Sequence, residues 1–243
     1  MSVVVRGQEI IGYSDDNGNI VTGSPNLLPS SSIEFKGSNC RVEFSDRVKF
    51  HGAIVFHRDD SSVEMGKWTW YRGRITLGLG CSISMGEKFY SGYDLQITAA
   101  EGADVILGDD VLIANHCRIR ADDSHPIYDG VSGRRLNVSS TIVVEDHVWL
   151  GQEVFLLPGA FVGSGSVVGA RSVVTKSRPV PSNSLALGSP ARVQREKINW
   201  IRTHLQMTDQ PDVVPSIFSG DDLTDNGRSF SQRFRAAVAE FRR

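Results

Sequence analysis

Apolar side chains return every six residues between Ile142 and Ser177, where the chain reads IVVEDH, VWLGQE, VFLLPG, AFVGSG, SVVGAR and SVVTKS. The third position of each hexad is Val144, Leu150, Leu156, Val162, Val168 or Val174, and the first is Ile142, Val148, Val154, Ala160, Ser166 or Ser172. Two inward residues flanking one outward residue is the alternation of a strand. Each strand is short, because Gly, Asp or Pro soon turns the chain, as at Gly108-Asp109-Asp110, Pro158-Gly159 and Gly163-Ser164-Gly165. A short strand and a turn repeated every six residues predicts a solenoid whose stacked coils pair backbone to backbone around one apolar column. A β-sandwich would place its turns every 8–12 residues, so six uninterrupted hexads argue against it.

The rhythm extends upstream in other registers. Val105-Leu107, Val111-Ile113 and Cys117-Ile119 follow one, Val63-Met65, Thr69-Tyr71, Ile75-Leu77 and Cys81-Ile83 a second, and Val48-Phe50 with Ile54-Phe56 a third. Register slips are expected near 58–62, 87–102 and 122–141. Three regions follow. Residues 1–32 carry turn signals (Asp16-Asn17-Gly18, Ser24-Pro25) and read as an N-terminal cap of short strands or irregular chain. Residues 33–184 form the repeat. Residues 185–243 form a C-terminal extension in which Arg192–His204 reads as helical, 207–228 as loose, and Phe230, Phe234, Ala237, Val238 and Phe241 line one face of a docking helix.

Composition narrows the function classes. The formal net charge of −2 gives no bulk electrostatic reason to bind a polyanion such as nucleic acid. No apolar run approaches the roughly 18 residues of a membrane span, and the first ten residues lack a signal-peptide pattern. The three cysteines, Cys40, Cys81 and Cys117, are scattered. Buried reduced thiols in a cytoplasmic protein fit better than a disulfide framework or a metal cluster.

One segment stands apart, ADDSHPIYDGVSGRRLNVSST at 121–141. It is polar, breaks two good repeat blocks and carries His125. A loop thrown from a rigid scaffold is a usual place for function, and imidazole suits proton transfer near neutral pH. Asp122, Asp123 and Asp129 could orient that imidazole, bind a ligand or simply shape turns. His116, beside inward Cys117, could face a groove or solvent.

His125-Pro126, the later DHVWLGQ, VVGARSVVTK and LGSPARV together resemble the hexapeptide-repeat acetyltransferases, with the nearest likeness to galactoside, maltose and bacterial polysaccharide O-acetyltransferases. The likeness is strong over about residues 100–195 and weak before 60 and after 205. It implies an all-β fold, a left-handed parallel β-helix with a protruding loop, here followed by C-terminal helical segments. It also implies an acetyl-CoA-dependent transfer to a sugar hydroxyl of a surface polysaccharide or its precursor, and a homotrimer with sites between subunits. By residue, the resemblance makes His125 the general base and Trp149 a wall of the CoA–acceptor groove. Gly169, Ala170 and Ser172 match the small-residue turn along which pantetheine lies, and Lys176, Arg192 and Arg195 match the basic positions that meet CoA phosphates. The chain departs from the galactoside pattern where Ser91-Gly92-Tyr93-Asp94 replaces an Ala-Asn-Phe-Asn stretch. Tyr93, Asp94 and Asp123 remain candidates for acceptor contact.

Three other readings share the column. Amino-sugar N-acetylation would need less help from a base. A zinc enzyme of the γ-carbonic-anhydrase type needs three imidazoles on one ion, and His116, His125 and His147 lack its close paired spacing, so no metal is expected. A non-catalytic scaffold would leave His125-Pro126, Trp149 and the basic positions unexplained.

Overall fold

The computed structural model describes residues 2–205. The chain divides into Met1–Ile198 and Asn199–Arg243. The stretch 207–228 and the Phe230–Phe241 stripe lie outside the described residues. The first unit is a parallel β-solenoid of three-sided coils.

The chain enters through β1 (Val3–Arg6) and a 3-10 turn (Gly7–Ile10). The first coil is β2 (Ile20–Thr22), β3 (Asn26–Leu27) and β4 (Ser32–Phe35). The second is β5 (Arg41–Phe44) and β6 (Lys49–Phe56), and the third is β7 (Ser62–Met65) and β8 (Trp70–Leu77). The fourth is β9 (Ser82–Met85), β10 (Tyr90–Ser91) and β11 (Leu95–Ala99). The fifth is β12 (Val105–Leu107), β13 (Leu112–Ile113) and β14 (Arg118–Arg120). The sixth is β15 (Ile142–Val144), β16 (Trp149–Leu150) and β17 (Phe155–Leu156). The seventh is β18 (Phe161–Val162), β19 (Val167–Val168) and β20 (Val173–Val174), and β21 (Ser184–Leu187) and β22 (Arg192–Glu196) close the column. The solenoid therefore begins near Ile20, inside the stretch expected to be cap, because β2 already pairs in parallel with β5.

Three ladders run the length of the column. The first face stacks Lys49, Trp70, Tyr90, Leu112, Trp149, Val167 and Leu185 as outward neighbours. The second stacks β4, the end of β6, the end of β8, β11, β14, β17 and β20. The third stacks β2, β5, β7, β9, β12, β15 and β18.

Every inward position read from the hexads is buried, from Val48 and Phe50 through Val144, Leu150 and Val174. The coils are not equal. Val42 lies beneath Val63 and Val63 beneath Ile83, 21 and 20 residues apart, whereas Val144 lies beneath Val162, 18 residues apart. A longer coil encloses a wider triangle, and close packing requires bulk to fill it. The early coils accordingly hold stacked rings, Tyr13 on Phe35 on Phe56 with centroids 5.3 and 5.2 Å apart. The 18-residue coils hold Ala160, Ser166 and Ser172. Gly73 (φ +155) lets β8 run over a corner without a turn, and a Cβ there would sit 1.8 Å from the Leu95 carbonyl oxygen.

Arg192–Glu196 is a strand, which corrects the helix expected over 192–204. Gly188 (φ +105) reverses the chain. β22 then pairs antiparallel with β21, Leu185 opposite Arg195. The open edge of the last coil offers backbone partners that a short helix could not use. Among the described residues no helix is long and apolar enough to cross a membrane. All three cysteines are buried free thiols, and burial pushes Cys117 up to about 11.

Candidate active site

The interruption at 121–141 leaves the corner between the second and third faces, since it joins β14 to β15. It folds as a small hairpin. Tyr128 and Arg135 form an antiparallel bridge, and the Leu136 N–H donates to the Ile127 carbonyl at 2.8 Å. Asp129 shapes the tip by accepting from the Ser132 amide at 2.6 Å and the Val131 amide at 3.2 Å, the contacts of a turn carboxylate. Asp122 is buried and accepts from the Ser124 amide at 2.9 Å. The base of the hairpin is tied to the column by Arg135, whose two terminal nitrogens bind the Glu101 carboxylate, and by the Ser139 hydroxyl on the same group at 2.7 Å.

His125 sits on this hairpin, exposed. Its backbone is fixed from both sides. The His125 N–H donates to the Asp123 carbonyl at 2.7 Å, and Asn137 Nδ2 donates to the His125 carbonyl at 2.8 Å. The same Nδ2 reaches Asp123 Oδ2 at 3.1 Å, while Asn137 Oδ1 accepts from the Ile127 amide at 2.6 Å. Asn137 thus ties the residues flanking His125 into one unit. Sequence reasoning missed it, because one Asn in a polar loop carries no distinguishing pattern.

A second group gathers at the corner between the first and second faces. Asp94, His116, Glu153 and Arg171 share one left-handed turn position there, with φ near 58–61°. Asp94 Oδ2 accepts from Arg118 Nη2 at 3.0 Å and faces His116 Nδ1 at 3.1 Å, and its Oδ1 accepts from Gln96 Nε2 at 3.1 Å. The His116 bond first, then Arg118 and Gln96, hold the Asp94 carboxyl below the ordinary carboxylate range. His116 therefore faces this corner as the partner of Asp94. Tyr93 beside it is 63% exposed. Trp149 points outward from β16 and is 40% exposed, as its hexad position implies. Gly169-Ala170 forms the same corner two coils above His116.

Other expected contacts fall elsewhere. Ser172 points into the column, fully buried, with its hydroxyl accepting from the Gly188 amide at 2.9 Å, so its side chain packs the core. Lys176 is exposed on the His125 corner, packed against Gly159. Arg192 and Arg195 are exposed on β22. His116, His147 and His125 occupy three different corners, with His147 Nδ1 bonded to Asp110 Oδ2 at 2.6 Å. Within one chain they are therefore apart, and among the described residues no group of three His, Cys, Asp or Glu side chains is placed to hold a metal ion.

Two half-sites result. His125, Asp123 and Lys176 lie on one edge of the second face, and Tyr93, Asp94, His116 and Gly169-Ala170 on the other. The five residues of β11 that separate the edges span about 16 Å.

Comparison with known proteins gives a consistent picture. No family model matches the chain. It is 31% identical over 183 residues to the galactoside O-acetyltransferase of Escherichia coli strain K12, covering 74% of this chain and 85% of that protein. It is 33% identical over 132 residues to the polysialic acid O-acetyltransferase of Escherichia coli O1:K1 / APEC, covering 54% of this chain but 42% of the relative. The crystal structure of the polySia-specific acetyltransferase NeuO superposes with a TM-score of 0.74 at 28% identity, over 92% of this chain and 94% of that one.

Proposed function

Because the chain belongs to the family of the galactoside and polysialic acid O-acetyltransferases, we propose that it transfers acetyl from acetyl-CoA to a sugar hydroxyl, with His125 as the general base. The observation that carries the reading is the hairpin at 121–141, which presents an exposed His125 on a backbone clamped by Asn137.

The imidazole takes the proton from the acceptor hydroxyl as its oxygen attacks the thioester carbonyl. A hydroxyl is a weak nucleophile until that proton is removed. The C–S bond then breaks, the thiolate leaves as CoA, and the imidazolium returns its proton to the sulfur. Pantetheine lies along Gly169-Ala170, where the absence of bulky side chains lets a ligand approach the backbone. Trp149 walls the groove, and Lys176, Arg192 and Arg195 meet the phosphates. Tyr93, Asp94 and Asp123 contact the acceptor.

The two half-sites are about 16 Å apart on one chain, so the working site forms where the His125 edge of one copy meets the Asp94 edge of the next, in a closed homotrimer. His125→Ala is expected to lower acetyl transfer to a panel of glycans by about 10²–10⁴-fold, the range of a general base, with an unchanged melting temperature. Trimers reassembled from His125→Ala and Trp149→Ala chains should recover about a quarter of the wild-type activity, because a randomly mixed closed ring makes one intact interface in four. Full activity in His125→Ala sinks the base assignment. No recovery on mixing sinks the shared site.

A further inference from the structure

Left-handed backbone recurs along the column at residues with a Cβ, and there the stacking of coils supports it. His116, Glu153 and Arg171 (φ +61°, +59° and +58°) each donate their amide to the coil beneath, to the carbonyls of Tyr93, Asn115 and Gln152 at 2.8, 3.0 and 2.8 Å. Ser124 (φ +63°) has the same backbone off the column, on the hairpin, and takes its support from side chains. The His125 N–H donates to the Asp123 carbonyl, two residues back, at 2.7 Å. Ser124 is therefore the centre of a γ-turn of the positive-φ kind, which is rare and strained. Such backbone persists only where its surroundings over-determine it. Two side chains do so here. Asp122 Oδ1 accepts from the Ser124 amide at 2.9 Å, and Arg120 Nη2 donates to the Ser124 hydroxyl. The same Nη2 lies 3.8 Å from Asp122 Oδ1, whose side chain is 11% exposed.

We propose that Arg120 is a positioning residue of the reaction: it holds the strained turn at Ser124 that aims the His125 imidazole. Only the consequence for acetyl transfer rests on the reading of His125 as the base; the clamp on the turn does not.

Three features support that role. The first is where the turn stands. His125 lies between Ser124 and Pro126. A residue before proline is confined to extended backbone, so the direction of the imidazole follows the peptide that enters from Ser124. Relaxation of Ser124 to negative φ would rotate that peptide and carry the ring with it. Asn137 grips the His125 carbonyl on the other side and leaves Ser124 to Asp122 and Arg120. The second feature is the root of the clamp. Arg120 ends β14, in register beside Thr98 of β11, so it is anchored to the parallel ladder of the column. A site held from a rigid element keeps its geometry better than one held from a loop. The third is the way the guanidinium is used. Both contacts to the hairpin are made by Nη2, while Nε is buried and makes no hydrogen bond. Arg120 thus serves the turn as a single cationic donor, and a lysine ammonium can replace it in part.

The test combines acetyl transfer by the full chain, on the glycan panel used for His125→Ala, with a crystal structure of each variant. Arg120→Met removes the donor and keeps a long side chain. It is expected to lower kcat about tenfold while the KM for acetyl-CoA and the melting temperature stay near wild type, and Arg120→Lys should regain most of the loss. Ser124→Ala should lose about as much as Arg120→Met, and Ser124→Gly only about threefold, because glycine takes positive φ without steric cost. In crystals of Arg120→Met and Ser124→Ala the turn should leave the left-handed region. In a His125→Ala background Arg120→Met should cost nothing more, since it acts through the imidazole. A further tenfold loss in that background overturns the proposal, because Arg120 then acts on the substrate itself. Wild-type kcat in Arg120→Met, equal kcat in Ser124→Ala and Ser124→Gly, or a melting temperature that falls with kcat also overturns it. So does a Ser124 that keeps φ near +63° in Arg120→Met crystals, even where no glycan in the panel is acetylated. Full activity in His125→Ala together with a relaxed turn in Arg120→Met would leave the clamp standing and the base reading fallen.

Discussion

The column and the hairpin that interrupts it are held by different forces. The inward residues of the column, from Val63 to Val174, are nearly all fully buried, and parallel backbone ladders run the length of all three faces. Its stability is spread over dozens of aliphatic contacts. The hairpin at 122–141 buries almost nothing and is shaped by a handful of polar side chains: Asp129 at the tip, Asn137 around His125, Arg135 and Ser139 on Glu101. A polar change in the hairpin should therefore remove activity from a stable protein. An apolar truncation in the column should remove stability from a protein whose folded molecules still work.

The column half of that contrast is the easiest to break. Leu150 is fully buried on β16, directly beside Trp149. Leu150→Ala is expected to cost about 2–5 kcal/mol of unfolding free energy, the usual span for a buried leucine. Denaturant melts read that loss, and activity per folded molecule should stay within a few-fold of wild type at low temperature. The opposite pattern, a stable but inactive Leu150→Ala, would show that the column does more than support the site.

Asn137 tests the hairpin half. Asn137→Ala removes both donors and the acceptor that tie Asp123, His125 and Ile127 together. Loss of one positioned backbone should lower kcat by about tenfold and leave the KM for acetyl-CoA and the melting temperature near wild type. Asn137→Asp should be worse, because it keeps the acceptor but sets a second carboxylate against Asp123. A fall in melting temperature that tracks the fall in kcat would make Asn137 a structural residue and not a positioning one.

These two residues also mark what the sequence could and could not reveal. Leu150 was legible, because a strand of two inward positions repeats until chance is excluded, and the same repeat made Trp149 outward. The hairpin was legible as the place where the repeat fails, with His125 as its one imidazole. Asn137 was not, since its importance comes from three partners up to 14 residues away. The Arg135–Glu101 pair spans 34 residues and has no local signature at all. The strand at 192–196 was misread because an open backbone edge, a tertiary feature, overrode a helical pattern. Ser172 was legible as inward from its first hexad position, and it is fully buried.

The smallest expected effect concerns the tether between the two regions. Arg135 and Ser139 lower the Glu101 carboxyl from 4.5 to about 2. A carboxyl lowered on folding stabilises the structure it belongs to above its unfolded value, and that contribution fades as pH falls through the folded value. The tether is thus complete above about pH 4.5 and is lost progressively toward pH 2. Because the pair is largely exposed, its loss should loosen the hairpin at most about fivefold. Hydrogen exchange at the Leu136 amide, which bonds Ile127 across the hairpin, reads this directly once the intrinsic exchange chemistry is divided out. Protection at Leu136 should fall between pH 5 and pH 2.5, while that of column amides such as Leu112 and Trp149 holds. Glu101→Gln should show the low-pH protection at both values. Equal protection of Leu136 at the two pH values in the wild-type chain would mean that the hairpin keeps its shape without the ion pair, and that Asn137 and Asp129 alone define it.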